Sequence, residues 1–138
     1  MLFQSDLDTL FIRLDDGEPF FDTLYAALSE TGVSSGVFLS GIGMLRSFEI
    51  GWFNMETKAY EKKFYTDPYE LLSLSGNLSQ KDTALFAHFH VTLAGRDHRV
   101  IGGHLFGGTV CNTLECFFRS YGHPLMRLPG ATFSPLGF

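Results

Sequence analysis

The sequence contains few basic residues and no cluster of them. Ten Lys and Arg stand against fifteen Asp and Glu in 138 residues, which gives a formal net charge of −5. The cations are scattered from Arg13 to Arg127. Non-specific binding to a phosphate backbone depends on clustered cations that release counterions, so this composition argues against direct DNA or RNA binding.

Long apolar runs and targeting signals are also missing. A membrane-spanning helix requires about 20 apolar residues, and the apolar stretches here are interrupted every few residues. Residues 1–20 contain no basic stretch and no small-residue cleavage site, which excludes a secretory signal peptide within them. With 45% hydrophobic and 18% charged residues the chain is unlike disordered proteins. We therefore expect one soluble, cytoplasmic domain over residues 1–138.

Cysteine is scarce, and the two cysteines are poorly placed for cross-linking. Cys111 and Cys116 are five residues apart within a predicted strand, which directs their side chains to opposite faces. That spacing suits neither a mutual disulfide nor a cysteine metal knuckle. We expect two buried, reduced thiols.

Phenylalanine, by contrast, is abundant, with 15 residues of 138. A domain of this size has a limited interior, so part of this aromatic surface is expected to face another subunit. Exposed apolar patches larger than a few hundred Å² usually mark association surfaces. The abundance indicates a homo-oligomer, and a Phe-rich core is the competing explanation.

The hydrophobic pattern predicts one helix among many strands. The helix begins near Pro19, because proline suits the first helical position, and ends at Gly32. Its apolar residues recur at helical spacing from Phe20 to Leu28. We predict an α+β fold, a largely antiparallel β-sheet of about seven strands with one main flanking helix. We expect the core to cover about 7–120, and we expect an extended tail over 121–138 that lies on a neighbouring subunit. The predicted strands are 7–14, 33–43, 44–54, 58–66, 69–77, 84–95, 99–108 and 109–120.

Three histidines form the strongest candidate site. His88 and His90 share one face of a strand because side chains alternate along it. The next strand returns through a turn at residues 95–98, and a loop with an odd number of residues places His104 on the same face. Three neutral imidazoles suit Zn²⁺ and leave a fourth position open. The alternative is three unrelated polar histidines on a half-exposed face. His98 and His123 are expected on the surface.

Four further residues are candidates near this site. Glu115 lies in an otherwise apolar strand, where it is a partner that orients a histidine, a general base, or a carboxylate on an exposed face. Ser73, Ser75 and Asn77 alternate along the strand before the histidine pair and are candidates for lining a polar, ligand-binding pocket. The spacing of these residues does not produce a nucleophile motif.

Several short blocks follow one another in a specific order. In this order and spacing they resemble the plants and prokaryotes conserved (PPC) domain family over roughly residues 7–120. The YELLSLSGN and GGHL blocks carry most of the resemblance. The blocks are GIG (41–43), ELLSLSG (70–76), HFH (88–90), GGHL (102–105), Gly108, Thr113 and Glu115.

The resemblance implies an antiparallel sheet with flanking helices and assembly as trimers. It also implies that some stand-alone prokaryotic relatives hold a metal at the positions of His88, His90 and His104. Plant relatives use the domain for protein association and join it to AT-hook motifs that bind DNA. This chain lacks the R-G-R-P core of that motif, so the DNA contact is not inherited. Plant members generally lack the histidines, and their presence here points away from a purely architectural role.

These observations lead to two hypotheses from different functional classes. The first is a homotrimer with one three-histidine site per subunit for zinc or another divalent transition metal, beside a polar pocket for a small-molecule ligand. The second is a non-enzymatic module for protein association or DNA-associated regulation. The sequence names no substrate and leaves open whether a metal site would turn a ligand over or only bind it.

Overall fold

The computed structural model describes residues Met1–Phe138 and consists of nine strands and one helix. This arrangement confirms the α+β class and the single flanking helix. The elements are β1 (Leu2–Asp6), β2 (Thr9–Asp15), α1 (Phe20–Thr31), β3 (Gly36–Asn54), β4 (Ala59–Tyr65), β5 (Tyr69–Lys81), β6 (Ala84–Ala94), β7 (Val100–Ser120), β8 (Met126–Arg127) and β9 (Leu136–Gly137).

All strands belong to one sheet, and its centre is closed. The order is β1-β2-β7-β3-β5-β8-β9, with β4 paired to β3 and β6 paired to both β5 and β7. Strands β3, β5, β6 and β7 therefore pair in a cycle. Every pairing is antiparallel except the short contact between β5 and β8. Antiparallel pairing brings residues distant in sequence directly opposite one another, which is how the site is assembled.

The cycle is possible because β3 and β7 are long and irregular. The pattern predicts separate strands at 33–43 and 44–54, and at 99–108 and 109–120; each pair is instead one continuous strand. Register shifts along the β3–β7 pairing let both strands bend. Gly43 has a φ of 146° at one of them, and a Cβ there would collide with the carbonyl of Thr113. The predicted strand boundaries at residues 43–44 and 108–109 therefore lie inside continuous strands.

Helix α1 has the predicted boundaries and the predicted buried face. Pro19 precedes it, and Gly32 ends it in a left-handed conformation with φ of 69°, its N–H donating to the Ser29 carbonyl at 3.2 Å. With 12 residues, the helix is too short to cross a membrane. Its buried residues are Phe20, Leu24, Ala27 and Leu28.

Phenylalanine is used both inside the molecule and on its surface. Phe38 lies at the centre of the core, with its ring centroid 4.6 Å from that of Phe89 and 4.9 Å from that of Phe118. Phe117, on the other face of β7, remains 46% exposed and contacts the ring of Phe11 at 5.1 Å. The core explanation therefore accounts for only part of the phenylalanine content. Further exposed apolar side chains on the β3–β5–β7 face are Val37, Leu39, Ile42 and Leu72.

The two cysteines are free, as expected, but they differ in burial. Cys116 is buried and Cys111 only half-buried, so the prediction of two buried thiols is wrong for Cys111. Burial raises the pKa of the Cys116 thiol to about 12. Its thiolate, the reactive form, is therefore almost absent at neutral pH.

The two ends of the chain add strands that the hydrophobic pattern does not reveal. Strand β1 lies outside the predicted core and pairs with β2. The tail, which is expected to be extended and to lie on a neighbouring subunit, pairs Met126 with Gln80 of β5 in its own chain. Strands of two residues carry too little periodicity to be recognised in a sequence.

Candidate metal centre

Adjacent strands bring the three histidines together. His90 of β6 lies directly opposite His104 of β7, and His88 is two residues from His90 on the same face. The connecting loop, residues 95–99, has an odd number of residues. An odd loop length is what was needed to place His104 on the same face as His88 and His90. Directly opposed residues in an antiparallel pair point their side chains to one side of the sheet.

The three rings converge closely enough for one ion. The ring centroid of His88 is 5.1 Å from that of His90 and 4.8 Å from that of His104, and the His90 and His104 centroids are 5.6 Å apart. One ring nitrogen from each residue lies within 4.8 Å of the other two. No other group of three His, Cys, Asp or Glu side chains has such an arrangement. The cluster could therefore bind a metal.

Burial and hydrogen bonding leave these rings ready to act as ligands. His88 and His104 are half-buried, and two of their nitrogens, His88 Nε2 and His104 Nδ1, are inaccessible and have no hydrogen-bond partner. Buried polar atoms without partners are rare and call for an explanation such as a missing ion or water. A transition metal accepts electron pairs from such nitrogens.

The electrostatics favour neutral imidazoles, the form that ligates metals. Burial, and to a lesser extent the charges of His88 and His90, lower the pKa of His104 from 6.5 to about 4. Burial followed by the nearby charge of Arg127 also lowers the pKa of His88. Both rings are therefore neutral at pH 7.

Aromatic side chains surround His104. Its ring centroid lies 5.0 Å from that of Tyr60 on β4 and 4.6 Å from that of Phe106, two residues further along β7. Lys62 places its Nζ 3.8 Å from the centre of the Phe106 ring. These contacts restrict the His104 ring and shield one side of it from water.

Arg127 is a neighbour that the sequence does not indicate. Its Nη2 donates to Asn77 Oδ1 at 2.5 Å and lies 3.4 Å from His88 Nδ1, while its Nε donates to Ser79 Oγ at 3.1 Å. The residue comes from β8 in the tail. Its position depends on how the tail folds back, which is not visible in the local pattern around Arg127.

The other predicted site residues separate into two groups. Ser75 lies directly opposite His90, and Asn77 lies opposite His88, so both border the cluster. Ser73 pairs with Thr92 and is exposed, further along β5. Glu115 does not approach the histidines of its own chain; it is exposed on β7, opposite Ile42.

Glu115 borders a separate, open depression of about 420 Å³. Glu70, Leu72 and Thr113 also line it, on the outer face of the sheet. His98 and His123 are exposed and belong to neither site, as expected. The structure thus unites three histidines with Ser75 and Asn77, and it separates them from the candidate carboxylate.

Comparison with known protein families shows which family the chain belongs to. The model of the Plants and Prokaryotes Conserved (PCC) domain, also written PPC, matches residues 1–122. The chain belongs to this family. The match includes all of β6 and β7 and ends before β8, so the strands with the histidines lie within the PCC domain and Arg127 lies outside the matched residues. Comparison with the curated proteins finds no match.

Solved structures share the PCC fold over nearly their whole length. A PPC protein from Pyrococcus horikoshii is 30% identical with a TM-score of 0.83, and the match covers 99% of this chain and 97% of that one. A metal-containing protein from Archaeoglobus fulgidus is 35% identical with a TM-score of 0.83, covering 97% and 95%. A candidate DNA-binding protein from Bacteroides thetaiotaomicron has a TM-score of 0.89 at 23% identity, covering 98% and 94%, and shows likeness of fold alone.

The two most specific blocks of the PCC resemblance meet at the histidines. Residues 69–77 lie on β5, directly against the part of β6 that carries His88 and His90. Residues 102–105 lie on β7 and supply His104. These blocks are far apart in sequence, and the sheet places both around one cluster.

Proposed function

We propose that His88, His90 and His104 hold one divalent transition metal per subunit, and that zinc is this metal. The observation that supports the proposal most strongly is the pair of buried ring nitrogens without hydrogen-bond partners, which belong to two histidines of a three-imidazole cluster. The low pKa of His104 keeps its ring neutral, as ligation requires. The metal-containing relative from Archaeoglobus fulgidus, at 35% identity, lends further support.

The three-histidine donor set suits a site for binding a ligand. A structural zinc site is closed by four protein ligands, whereas three protein ligands leave a position for water or another molecule. A metal held there would polarise a ligand oxygen or lower the pKa of a bound water. His90 is exposed, which leaves access from solvent, and Ser75 and Asn77 lie beside the cluster with polar groups for a ligand.

Metal analysis of the protein provides the direct test. Untagged protein, dialysed after addition of zinc, is measured by inductively coupled plasma mass spectrometry. We expect about one equivalent per chain, and a loss of most of it in His88→Gln and in His104→Gln. His98→Gln and His123→Gln, which change histidines outside the cluster, serve as matched controls. Less than a tenth of an equivalent in the unmodified protein would rule the proposal out.

The same proposal includes assembly as a cytoplasmic homotrimer. The support is the row of apolar side chains on the outer face of the sheet, since Leu39, Ile42 and Phe117 are each about half exposed. A patch of this kind on a small domain is typical of an association surface. The net charge of −5 makes another copy of the chain or a protein partner a better occupant than a nucleic acid.

The alternative function is a non-enzymatic association or DNA-associated module. The apolar face favours its protein-association form, whereas the net charge of −5 argues against the DNA-associated form. Titration with duplex DNA at two salt concentrations tests the DNA form, because backbone contacts weaken steeply as salt rises. We expect no salt-sensitive binding at micromolar protein.

A further inference from the structure

A cavity of about 370 Å³ opens next to the histidine cluster, between β5, β6 and the folded-back tail. Its walls include His88 and three aromatic rings, those of Tyr60, Phe86 and Phe133. This volume lies in the range of small-molecule sites, which are largely apolar with a few converging polar groups. The cavity therefore has the size and lining of a site for a small molecule that carries a ring.

Two cations line this cavity, and neither has a carboxylate partner. Five of the ten Lys and Arg residues pair with acidic side chains, but Arg127 and Lys81 do not. No acidic residue lines the cavity. Both cations also lie near the Phe86 ring, with Lys81 Nζ at 5.7 Å and Arg127 Cζ at 5.2 Å from its centre.

Arg127 is the more informative of the two because it is partly buried. All of its hydrogen-bond acceptors are uncharged: the oxygens of Asn77, Ser79 and the Ser134 backbone carbonyl, and the ring nitrogen Nδ1 of His88. These bonds fix the guanidinium in place without neutralising it. A partly desolvated cation without a counter-charge is unfavourable unless an anion accompanies it. In a chain with a net charge of −5, this concentration of unpaired positive charge in one cavity stands out.

We propose, on the basis of the metal centre proposed above, that this cavity binds a small aromatic anion next to the metal. Its carboxylate or phosphate group is held by Arg127 and Lys81, and its ring packs among Phe86, Phe133 and Tyr60. A guanidinium binds both kinds of anion through charge-assisted hydrogen bonds. Because Arg127 also lies 3.4 Å from His88 Nδ1, the anionic group is brought close to the metal ligands.

The metal and the anion are expected to strengthen each other's binding. Arg127 repels a cation held by His88, and an anion on the guanidinium offsets that repulsion. Coupling of this kind is reciprocal, so zinc raises the affinity for the anion by the same factor as the anion raises the affinity for zinc.

A series of one-ring compounds tests the charge requirement. Benzoate, phenyl phosphate, benzyl alcohol and benzamidine are titrated into the full chain, with and without zinc, and binding is followed by NMR through the amide resonances of Phe86 and Thr132. We expect the two anions to bind at least about tenfold more tightly than the neutral and cationic compounds. A preference for benzoate or for phenyl phosphate identifies the anion class.

Variants test the residues. Arg127→Met and Lys81→Met are each expected to weaken binding of the preferred anion, the first by about tenfold or more. Arg96→Met removes an exposed, unpaired arginine outside the cavity and is the matched control. Lys81→Met leaves the hydrogen bonds of the tail intact, so it tests the proposal even if Arg127→Met disturbs the tail.

The outcomes separate this site from the metal centre. Equal binding of benzyl alcohol and the anions, or an equal loss in Arg96→Met and Arg127→Met, would overturn the anion site. Stoichiometric zinc without anion binding would overturn it as well and leave the proposed metal centre standing. Anion binding that depends on Arg127 in a chain that takes up no zinc would support the anion site and refute the metal centre.

Discussion

Arg127 places its Nη2 3.4 Å from Nδ1 of His88, although 39 residues separate them in the chain. A guanidinium can only donate hydrogen bonds, so in this contact Nδ1 is the acceptor and the neutral ring carries its proton on Nε2. Ligation through Nε2 requires the opposite tautomer, with the proton on Nδ1 facing the guanidinium. Metal binding through Nε2 and the hydrogen bond from Arg127 therefore require opposite tautomers of the His88 ring, so each disfavours the other.

Replacing Arg127 should tighten metal binding. Arg127→Gln removes the positive charge beside His88 Nδ1. It thereby removes the repulsion between the guanidinium and a bound cation. At this range one unit charge is worth on the order of 1 kcal/mol in a partly solvated site, so we expect about a fivefold gain in zinc affinity. Competition with a chromophoric chelator measures it, with Arg96→Gln as the control. A weaker zinc affinity in Arg127→Gln would mean that Arg127 supports the ligand rather than opposing it.

The metal-free protein should lose stability in acid because of His104. The pKa of this ring is about 4 in the folded protein and 6.5 ordinarily. Between these values the unfolded chain binds a proton that the folded chain does not, so stability rises with pH over this window and falls as pH drops through it. His104→Gln should therefore show a smaller difference in urea midpoint between pH 4.5 and pH 7 than the unmodified protein, both measured with a chelator.

Carboxylates also titrate in that window, and the comparison of variants removes their contribution. His98→Gln, in the exposed loop, should keep the pH dependence of the unmodified protein. An unchanged pH dependence in His104→Gln would show that this ring is not the group responsible.

A methyl group on Gly76 should disrupt the strand beside the histidines. A Cβ there would collide with the carbonyl oxygen of His88 and with the ring of Phe89. Both neighbours belong to the packed core or to its backbone, so relief requires β5 and β6 to separate. We expect Gly76→Ala to lower the free energy of unfolding by about 3 kcal/mol, from chemical denaturation.

Gly107→Ala is the matched control, because nothing lies within 4 Å of a Cβ at that position. It should change stability by no more than about 0.5 kcal/mol. Equal effects of the two substitutions on stability would mean that the neighbours of Gly76 shift easily to make room for a Cβ.

The apolar outer face should control self-association. Phe117→Glu puts a charge on the β3–β5–β7 face, where burial against another subunit would be costly. We expect it to convert the proposed trimer to monomers in analytical ultracentrifugation while the circular dichroism spectrum is retained. Phe64→Glu makes the same change at an exposed phenylalanine on the edge strand β4 and should leave the oligomer intact. Dissociation by both variants, or by neither, would place the interface elsewhere.

Local patterns in the sequence predict much of the fold and part of the site. The helix from Phe20 to Thr31 follows from helical spacing between a proline and a glycine. The shared face of His88 and His90 follows from the alternation of side chains along a strand. A connecting loop with an odd number of residues places His104 on the same face. These features depend on residues close together in the chain, for which backbone geometry alone sets the relationship.

Other features depend on which strands pair and how the chain ends return to the sheet. The hydrophobic pattern divides β3 and β7 into two strands each. Both are continuous in the structure, because their pairing partners continue across the bends. Glu115, on β7 like His104, lies far from the histidines of its own chain because β7 passes from β6 to β2 along its length. The sequence by itself determined the helix, the extended character of the central strands and the face of the histidines, since these follow from local periodicity. Only the tertiary structure decided that Arg127 reaches His88, because a two-residue strand is held by its contacts with β5 and β9 and not by any pattern of its own.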